Sequence, residues 1–393
     1  MVRILTFSSL YPSAAQPSHG VFVENRLREL IKGGDVESRV LCPVPWVPPM
    51  GRLSGSYAVY GKIERQSVRH GISVSYPRYA LIPKIGMNVA PAAMFISLYG
   101  KARRLISDGY DFDLIDAHYF YPDGVAAAMI GKRLGKPVVI TARGTDINLI
   151  PAYWIPRRQI LWAAREASGL ITVCQALKDT LVEMGVAPEK IHTLRNGVDL
   201  ARFQPQNREA ARAAFGAEGK TLLSIGHLIG RKGHDLVIKA MRMLPEYRLL
   251  IAGDGPERAN LDALASASGV AGRVKFLGAL PPARMTELYN AGDALILASS
   301  REGWANVLLE AMACGTPVVA SNVWGTPEVV TSPVAGVLMR ERTPDGVADG
   351  VRALFKALPL RSETRSYAEN FSWEATTLGQ MALFRSILRT GGT

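Results

Sequence analysis

The sequence predicts an α/β protein of two parallel-sheet domains, and three observations carry that expectation. Short apolar runs recur through both halves, as at Val2–Phe7, Pro137–Ala142, Lys220–Gly226 and Asp293–Ala298. Several of these runs lead through a glycine-containing loop into a stretch of helical periodicity, the pattern of parallel strands joined by crossover helices. The chain has 393 residues, enough for two domains, and a polar, proline-containing stretch after Asn196-Gly197-Val198-Asp199 is linker-like. The expected division is 1–198, 199–371 and a terminal helix within 372–393.

Each element follows in order. Val2–Phe7 is a buried-type strand, and Val21, Val23, Leu27 and Leu30 mark a helix ended by Gly33-Gly34. The loop between them, with Pro17, Ser18, His19 and Gly20, lacks G-x-G-x-x-G and so argues against a nicotinamide site. Arg39–Cys42 is a second strand, and proline-rich Pro43 to Arg52 is expected to be an exposed loop. Residues 85–105 carry Met87, Val89, Phe95, Ile96 and Leu98, then Lys101, Arg103 and Arg104. That helix suits a core position with an exposed last turn, or a membrane interface. Trp154 to Arg165, with Trp154, Ile155, Trp162, Arg157 and Arg158, leaves the same two readings open. Asp113–Ala117, Pro137–Ala142, Gly169–Cys174 and Ile191–Leu194 complete the strands of the first half. Asp111-Phe-Asp113 has the letters of a metal-binding Asp-x-Asp but precedes a strand, so it is a lead-in.

In the second half, the strand Lys220–Gly226 delivers His227, Gly230, Arg231, Lys232 and Gly233 to a loop. Two adjacent cations on glycine-flanked backbone suit a diphosphate and neutralise charge as a sugar–phosphate bond lengthens. Arg248–Ala252 runs into Gly253-Asp254-Gly255-Pro256, where Pro256 and the missing third glycine argue against a dinucleotide fingerprint. Arg273–Gly278 is another strand, and Ser372 to Leu388 is the terminal helix.

Between them lies Ser299–Ser321, SSREGWANVLLEAMACGTPVVAS. A loop containing Gly303 feeds a helix expected from Ala305 to Cys314, stopped by Gly315 and Pro317. Backbone N–H groups at such a helix start favour phosphate. Glu302 and Glu310 flank it, with Cα atoms expected on the order of 10 Å apart. That spacing suits gripping two ends of a long ligand better than straddling one bond for hydrolysis.

Glu302 to Glu310, with the continuation LLEAMACGTPVVAS, resembles the E-x7-E motif of retaining glycosyltransferase family four. The resemblance covers nearly the whole chain and is strongest from Ser224 to Val330. It implies a GT-B fold, two Rossmann-like domains facing a cleft, with the last helix crossing back to the first domain. It implies a hexosyltransferase-type enzyme that moves sugar from a nucleotide-diphosphate sugar to an acceptor hydroxyl, giving an α-linkage. The first domain would bind the acceptor and the second the nucleotide sugar. On these positions Arg231, Lys232 and the helix start hold the diphosphate, Glu302 and His118 the sugar, and Glu310 the ribose. Gly303, Trp304, Ala305 and Asn306 line the donor site, Gly20 lets its loop approach the diphosphate, and Arg143 and Asp146 hold the acceptor. The family pattern has Phe-Pro where this chain has Trp304-Ala305, and a histidine where it has Arg143. An arginine there suits an anionic acceptor. Tyr11-Pro12…His19-Gly20 and Arg143-Gly-Thr-Asp146 resemble bacterial exopolysaccharide and surface-polysaccharide enzymes, which implies a lipid-linked saccharide acceptor. No cofactor or metal is expected, because cationic side chains and the helix start take that role. The rival readings are a GT-B nucleotide-sugar epimerase and a non-catalytic nucleotide-sugar or nucleic-acid binding module.

The formal net charge of +12 is uneven: residues 1–198 hold 24 Lys/Arg and 15 Asp/Glu, or +9, and the remainder 22 and 19, or +3. A basic first half suits an anionic membrane or a phosphorylated substrate; solvated charge kept for solubility explains it equally. No nucleic-acid motif accompanies the charge, so no nucleic-acid partner is expected. Cys42, Cys174 and Cys314 are widely spaced, which suggests a reducing compartment and no structural metal. No apolar run is long enough to span a membrane. The expectation is a cytoplasmic enzyme with peripheral contact at the inner membrane face.

Overall fold

The computed structural model describes residues 1–46, 58–81 and 86–390. The chain divides into two units, Met1–Arg195 with Ala375–Thr393, and Asn196–Glu374.

Among the described residues unit 1 holds ten strands: β1 (Val2–Phe7), β2 (Val36–Leu41), β3 (Val44–Trp46), β4 (Gln66–Arg69), β5 (Ile72–Ser75), β6 (Arg78–Ala80), β7 (Leu114–His118), β8 (Val138–Ala142), β9 (Gly169–Thr172) and β10 (Ile191–Thr193). Eight form one sheet in the order β10-β9-β8-β7-β1-β2-β5-β4, parallel except where β4 turns back on β5. All five residues of β7 and of β8 are buried, as expected of strands covered by helices on both faces. The strand order reverses at β1, between β2 and β7. A crevice opens at the carboxyl ends of strands at such a reversal.

Unit 2 holds β11 (Lys220–Ile225), β12 (Tyr247–Ala252), β13 (Val274–Gly278), β14 (Ala294–Leu297), β15 (Val318–Ser321) and β16 (Gly336–Met339). They form one parallel sheet in the order β13-β12-β11-β14-β15-β16, with the reversal between β11 and β14. The two segments singled out by sequence, His227–Gly233 and Ser299–Ala305, leave these two strands. Topology therefore delivers both to one crevice.

The expected loop Pro43 to Arg52 is corrected at its start: Val44–Trp46 is a strand paired with β6, and residues 47–52 lie outside the described residues. Residue 85 of the segment 85–105 also lies outside them; from Gly86 a short 3₁₀ turn leads into the helix Ala90–Ser107. The β4–β5 hairpin was not anticipated. Its two turn residues, His70 and Gly71, have φ of +50 and +79, the left-handed pair that a tight hairpin requires.

The terminal helix spans Trp373–Thr390, and from Ala375 onward it belongs to unit 1. Gln380 on this helix accepts a hydrogen bond from Arg26 Nε (2.8 Å) and donates to Asp116 Oδ2 (2.9 Å). All three side chains are buried, so the helix adds a hydrogen bond to each of two buried charges that also have other partners, the Leu194 carbonyl for Arg26 and His118 for Asp116.

Candidate active site

In unit 2 the loops after β11 and β14 pack backbone against backbone. Gly233 has φ +71, and a Cβ there would lie 2.1 Å from the Ala298 carbonyl oxygen. Ser300 N–H donates to the Arg231 carbonyl (2.8 Å), and the Arg231 guanidinium donates to the Arg301 carbonyl (2.9 Å). This stitching brings three expected residues together. Lys232 Nζ lies 2.6 Å from Glu302 Oε1, and Arg231 Nη1 lies 3.7 Å from Glu302 Oε2. Glu302 is buried and both cations are partly covered, so two positive charges share one carboxylate. Beneath Lys232, His234 Nδ1 bonds Ser224 Oγ at 2.8 Å. Burial, and then the Lys232 charge, push the His234 imidazole down to about 4, so it adds no charge at neutral pH.

The helix after the loop is Asn306–Ala313. Ala305 precedes it, with Gly303 at a bend in the loop. The Trp304 indole is buried and its Nε1 donates to the Asn196 carbonyl at 3.0 Å. The Trp-Ala departure thus fastens the start of unit 2 to the loop. Asn306 Oδ1 accepts from Asn196 Nδ2 at 3.4 Å. Glu310 Oε2 accepts from the Tyr289 hydroxyl at 2.6 Å, while Oε1 takes no hydrogen bond from the described residues. Burial raises the Glu310 carboxyl above its ordinary range, with the Tyr289 hydrogen bond opposing. Tyr289 itself, in the helix Pro282–Ala291, carries no motif and was missed by sequence reasoning.

In unit 1 the expected residues also cluster, but around one another. His118 ends β7 and is 1% exposed. Its Nε2 lies 3.1 Å from Asp116 Oδ2 and its Nδ1 lies 2.6 Å from Arg143 Nη2. An arginine can only donate, so Nδ1 accepts and Nε2 carries the proton to Asp116. Burial, with the Arg143 charge, pushes the imidazole down to about 4 against the pull of Asp116. Both ring nitrogens have protein partners. Asp146 is fully buried and accepts from the backbone N–H groups of Phe120, Arg143 and Gly144 at 2.6 to 3.1 Å. The Arg143 guanidinium is turned inward to His118 and over the Phe22 ring. Arg143 and Asp146 thus have interior partners in place of the acceptor contacts expected of them. Asp116 was missed, although it sits two residues before His118 on the same face of the strand.

Gly20 has φ +68, and a Cβ there would lie 2.2 Å from the Leu10 carbonyl carbon. The turn therefore needs glycine for its own packing. Asp123, also missed, accepts from Ser9 N–H and from Ser9 Oγ (2.9 Å), tying the loop after β1 to the helix Val125–Leu134. Among the described residues no group of three His, Cys, Asp or Glu side chains is placed to hold a metal ion. Cys42, Cys174 and Cys314 are buried and form no disulfide.

Residues 206–371 match the family model for glycosyl transferases group 1, and residues 20–202 that for glycosyltransferase family 4. A D-inositol 3-phosphate glycosyltransferase of Segniliparus rotundus is 32% identical over 72% of this chain and 68% of its own. The chain belongs to this glycosyltransferase family. A putative teichuronic acid biosynthesis glycosyltransferase of Bacillus subtilis is 29% identical over 82% of both chains. Among solved structures, Anabaena HepE in complex with UDP aligns over 98% of this chain and all of its own, with TM-score 0.75 and 22% identity. A sucrose-phosphate synthase from Thermosynechococcus elongatus aligns over 99% and 100%, with TM-score 0.79 and 18% identity. These likenesses establish the fold as GT-B, with two Rossmann-like parallel-sheet domains, and the enzyme as a glycosyltransferase.

Proposed function

We propose that this glycosyltransferase takes a glycosyl group from a nucleoside-diphosphate sugar and passes it, with retained anomeric configuration, to a hydroxyl of a lipid-linked saccharide. The observation that carries the donor half is the convergence of Lys232 and Arg231 on Glu302 at the strand reversal of unit 2. An incoming diphosphate draws both cations away from Glu302, and the freed carboxylate then accepts hydrogen bonds from sugar hydroxyls. Glu310, steadied by Tyr289, offers Oε1 to a ribose hydroxyl. As the bond from the anomeric carbon to phosphate breaks, Arg231, Lys232 and the N–H groups at Asn306 stabilise the charge growing on the departing oxygen. The acceptor oxygen bonds the same face, and its proton leaves on that phosphate oxygen. Side-chain cations supply the neutralisation, so the proposal includes no metal. His118, Arg143 and Asp146 act by fixing the loops after β7 and β8, on which the acceptor rests.

One observation supports an anionic acceptor and another a lipid-linked one. Relatives are named for D-inositol 3-phosphate and for teichuronic acid biosynthesis. Unit 1 also exposes large apolar side chains on two neighbouring segments. Met87, Val89 and Ile96 are exposed on one segment and Tyr153, Trp154 and Ile155 on another, with Trp154 67% exposed. Tyr121 Oη donates to the Met87 carbonyl (2.6 Å) and meets Gln159 Oε1 (2.9 Å), and Gln159 Nε2 donates to the Asn88 carbonyl (3.1 Å). These bonds hold the two segments side by side. Exposed Arg157 and Arg158 border the patch, and apolar anchors beside arginines fit an anionic bilayer.

The test is transfer from UDP-, GDP-, ADP- and TDP-sugars to lipid-linked acceptors in anionic vesicles with a metal chelator present. The expected product from an α-linked donor is an α-linked saccharide, by proton NMR. A β-linked product, or an epimerised donor without transfer, overturns the proposal.

A further inference from the structure

A second basic site lies in unit 1, away from the residues already described. Between the outer strands of its sheet and the helix Ala90–Ser107 is a cavity of about 330 Å³. Lys101, Arg104 and Asp108 line it from the helix, Arg65 from just before β4, and Arg78 from the start of β6. Lys101, Arg104 and Asp108 share one helix face by their three- and four-residue spacing. Four cations thus face one cavity that holds a single carboxylate.

Among the described residues none of the four is ion-paired. Arg78 is pinned by the carbonyls of Tyr76 (3.3 Å) and Ile63 (2.5 Å), which are neutral. Among the described residues Arg65, Lys101 and Arg104 form no ion pair, and neither does Asp108. Burial and then the nearby charge of Arg65 lower the Arg78 guanidinium, with the Glu64 carboxylate pulling more weakly the other way. A concave wall of one sign concentrates the field over its mouth, and guanidinium groups match phosphate oxygens two at a time.

We propose that this groove is a binding site for a phosphate group, separate from the donor site of unit 2. It is separate also from the His118 cluster, because the outer strand β5 is three places from β7 in the sheet, on the order of 14 Å. Its occupant is the phosphate of a lipid headgroup or of a soluble phosphorylated compound. Ser97 lines the groove and neighbours exposed Ile96 of the apolar surface, which favours the lipid.

Calorimetric titration of inorganic pyrophosphate into the full chain at low salt tests it. The Lys232→Gln background keeps the unit 2 site from contributing. Adding Arg65→Gln and Arg104→Gln is expected to weaken binding tenfold or more, with the melting temperature within a degree or two. Adding Arg28→Gln and Lys32→Gln, on another exposed helix end, is expected to leave it unchanged. Equal weakening by both pairs shows diffuse charge only and overturns the proposal, as does no weakening by the first. If wild type and Lys232→Gln bind pyrophosphate identically while the groove variants do not, the donor reading fails and the groove stands. Flotation with phosphatidylcholine vesicles with and without phosphatidylglycerol separates the two supporting cases. Loss of anion-dependent flotation in the groove variant assigns lipid phosphate; unchanged flotation with lost pyrophosphate binding assigns a soluble one.

Discussion

His118 and His234 show how the same residue type serves two units in the same way. Each is buried, each bonds a neighbour through Nδ1, and each is pushed down to about 4. An unfolded histidine titrates near 6.5, so between about pH 6.5 and 4 the unfolded chain binds protons that the folded chain refuses. Stability contributed by a buried neutral histidine is therefore full above that window and falls as pH falls through it. Asp123, raised to about 7 by burial, pulls the other way in unit 1, so His234 gives the cleaner reading. His234→Gln should lower stability by about 1 kcal/mol at pH 7 through the weakened Ser224 bond. That gap should shrink or reverse by pH 4.5, by roughly 1–3 kcal/mol. Urea midpoints of both proteins across that range check it, and a constant gap contradicts the account.

At the scale of elements, the candidate donor site depends on loops that touch without side chains between them. Gly233 meets Ala298, and Gly253 meets Gly226, where a Cβ would lie 1.9 Å from the carbonyl oxygen. In the Gly253-Asp-Gly-Pro turn, Gly255 likewise packs against the Leu228 backbone. Gly233→Ala combines a left-handed backbone with a clash against a carbonyl, so it should cost more than about 2 kcal/mol. It should also weaken nucleotide binding by shifting Lys232. Gly230→Ala has open space around it and is the control: thermal melts and nucleotide titration should leave it near wild type. Equal behaviour of the two variants would show that the close packing does not position the cations.

At the scale of the whole molecule, much was legible in the sequence because parallel strands buried on both faces are apolar runs and their loops end in glycine. The inner strands of both sheets, the helix after Ala305 and the Lys232–Glu302 neighbourhood follow from that pattern and from the family motif, while β4, β5 and β16 were not read. What could not be read depends on distant partners. Arg26 and Gln380 meet across 354 residues, and Tyr289 reaches Glu310 from a helix with no distinguishing motif. Asp116 was the exception, since strand periodicity already placed it beside His118. Arg143 and Asp146 were assigned outward because a motif gives residue order and not side-chain direction; burial turns both inward.

The central claim is that the cations beside Glu302 bind a nucleoside diphosphate. Calorimetric titration of UDP, GDP, ADP and TDP into wild type and Lys232→Gln tests it most directly. The account predicts that one nucleotide binds tightly and that its affinity falls tenfold or more, about 1.4 kcal/mol, in the variant. Tight binding that is indifferent to Lys232, or no binding by any of the four, would contradict it.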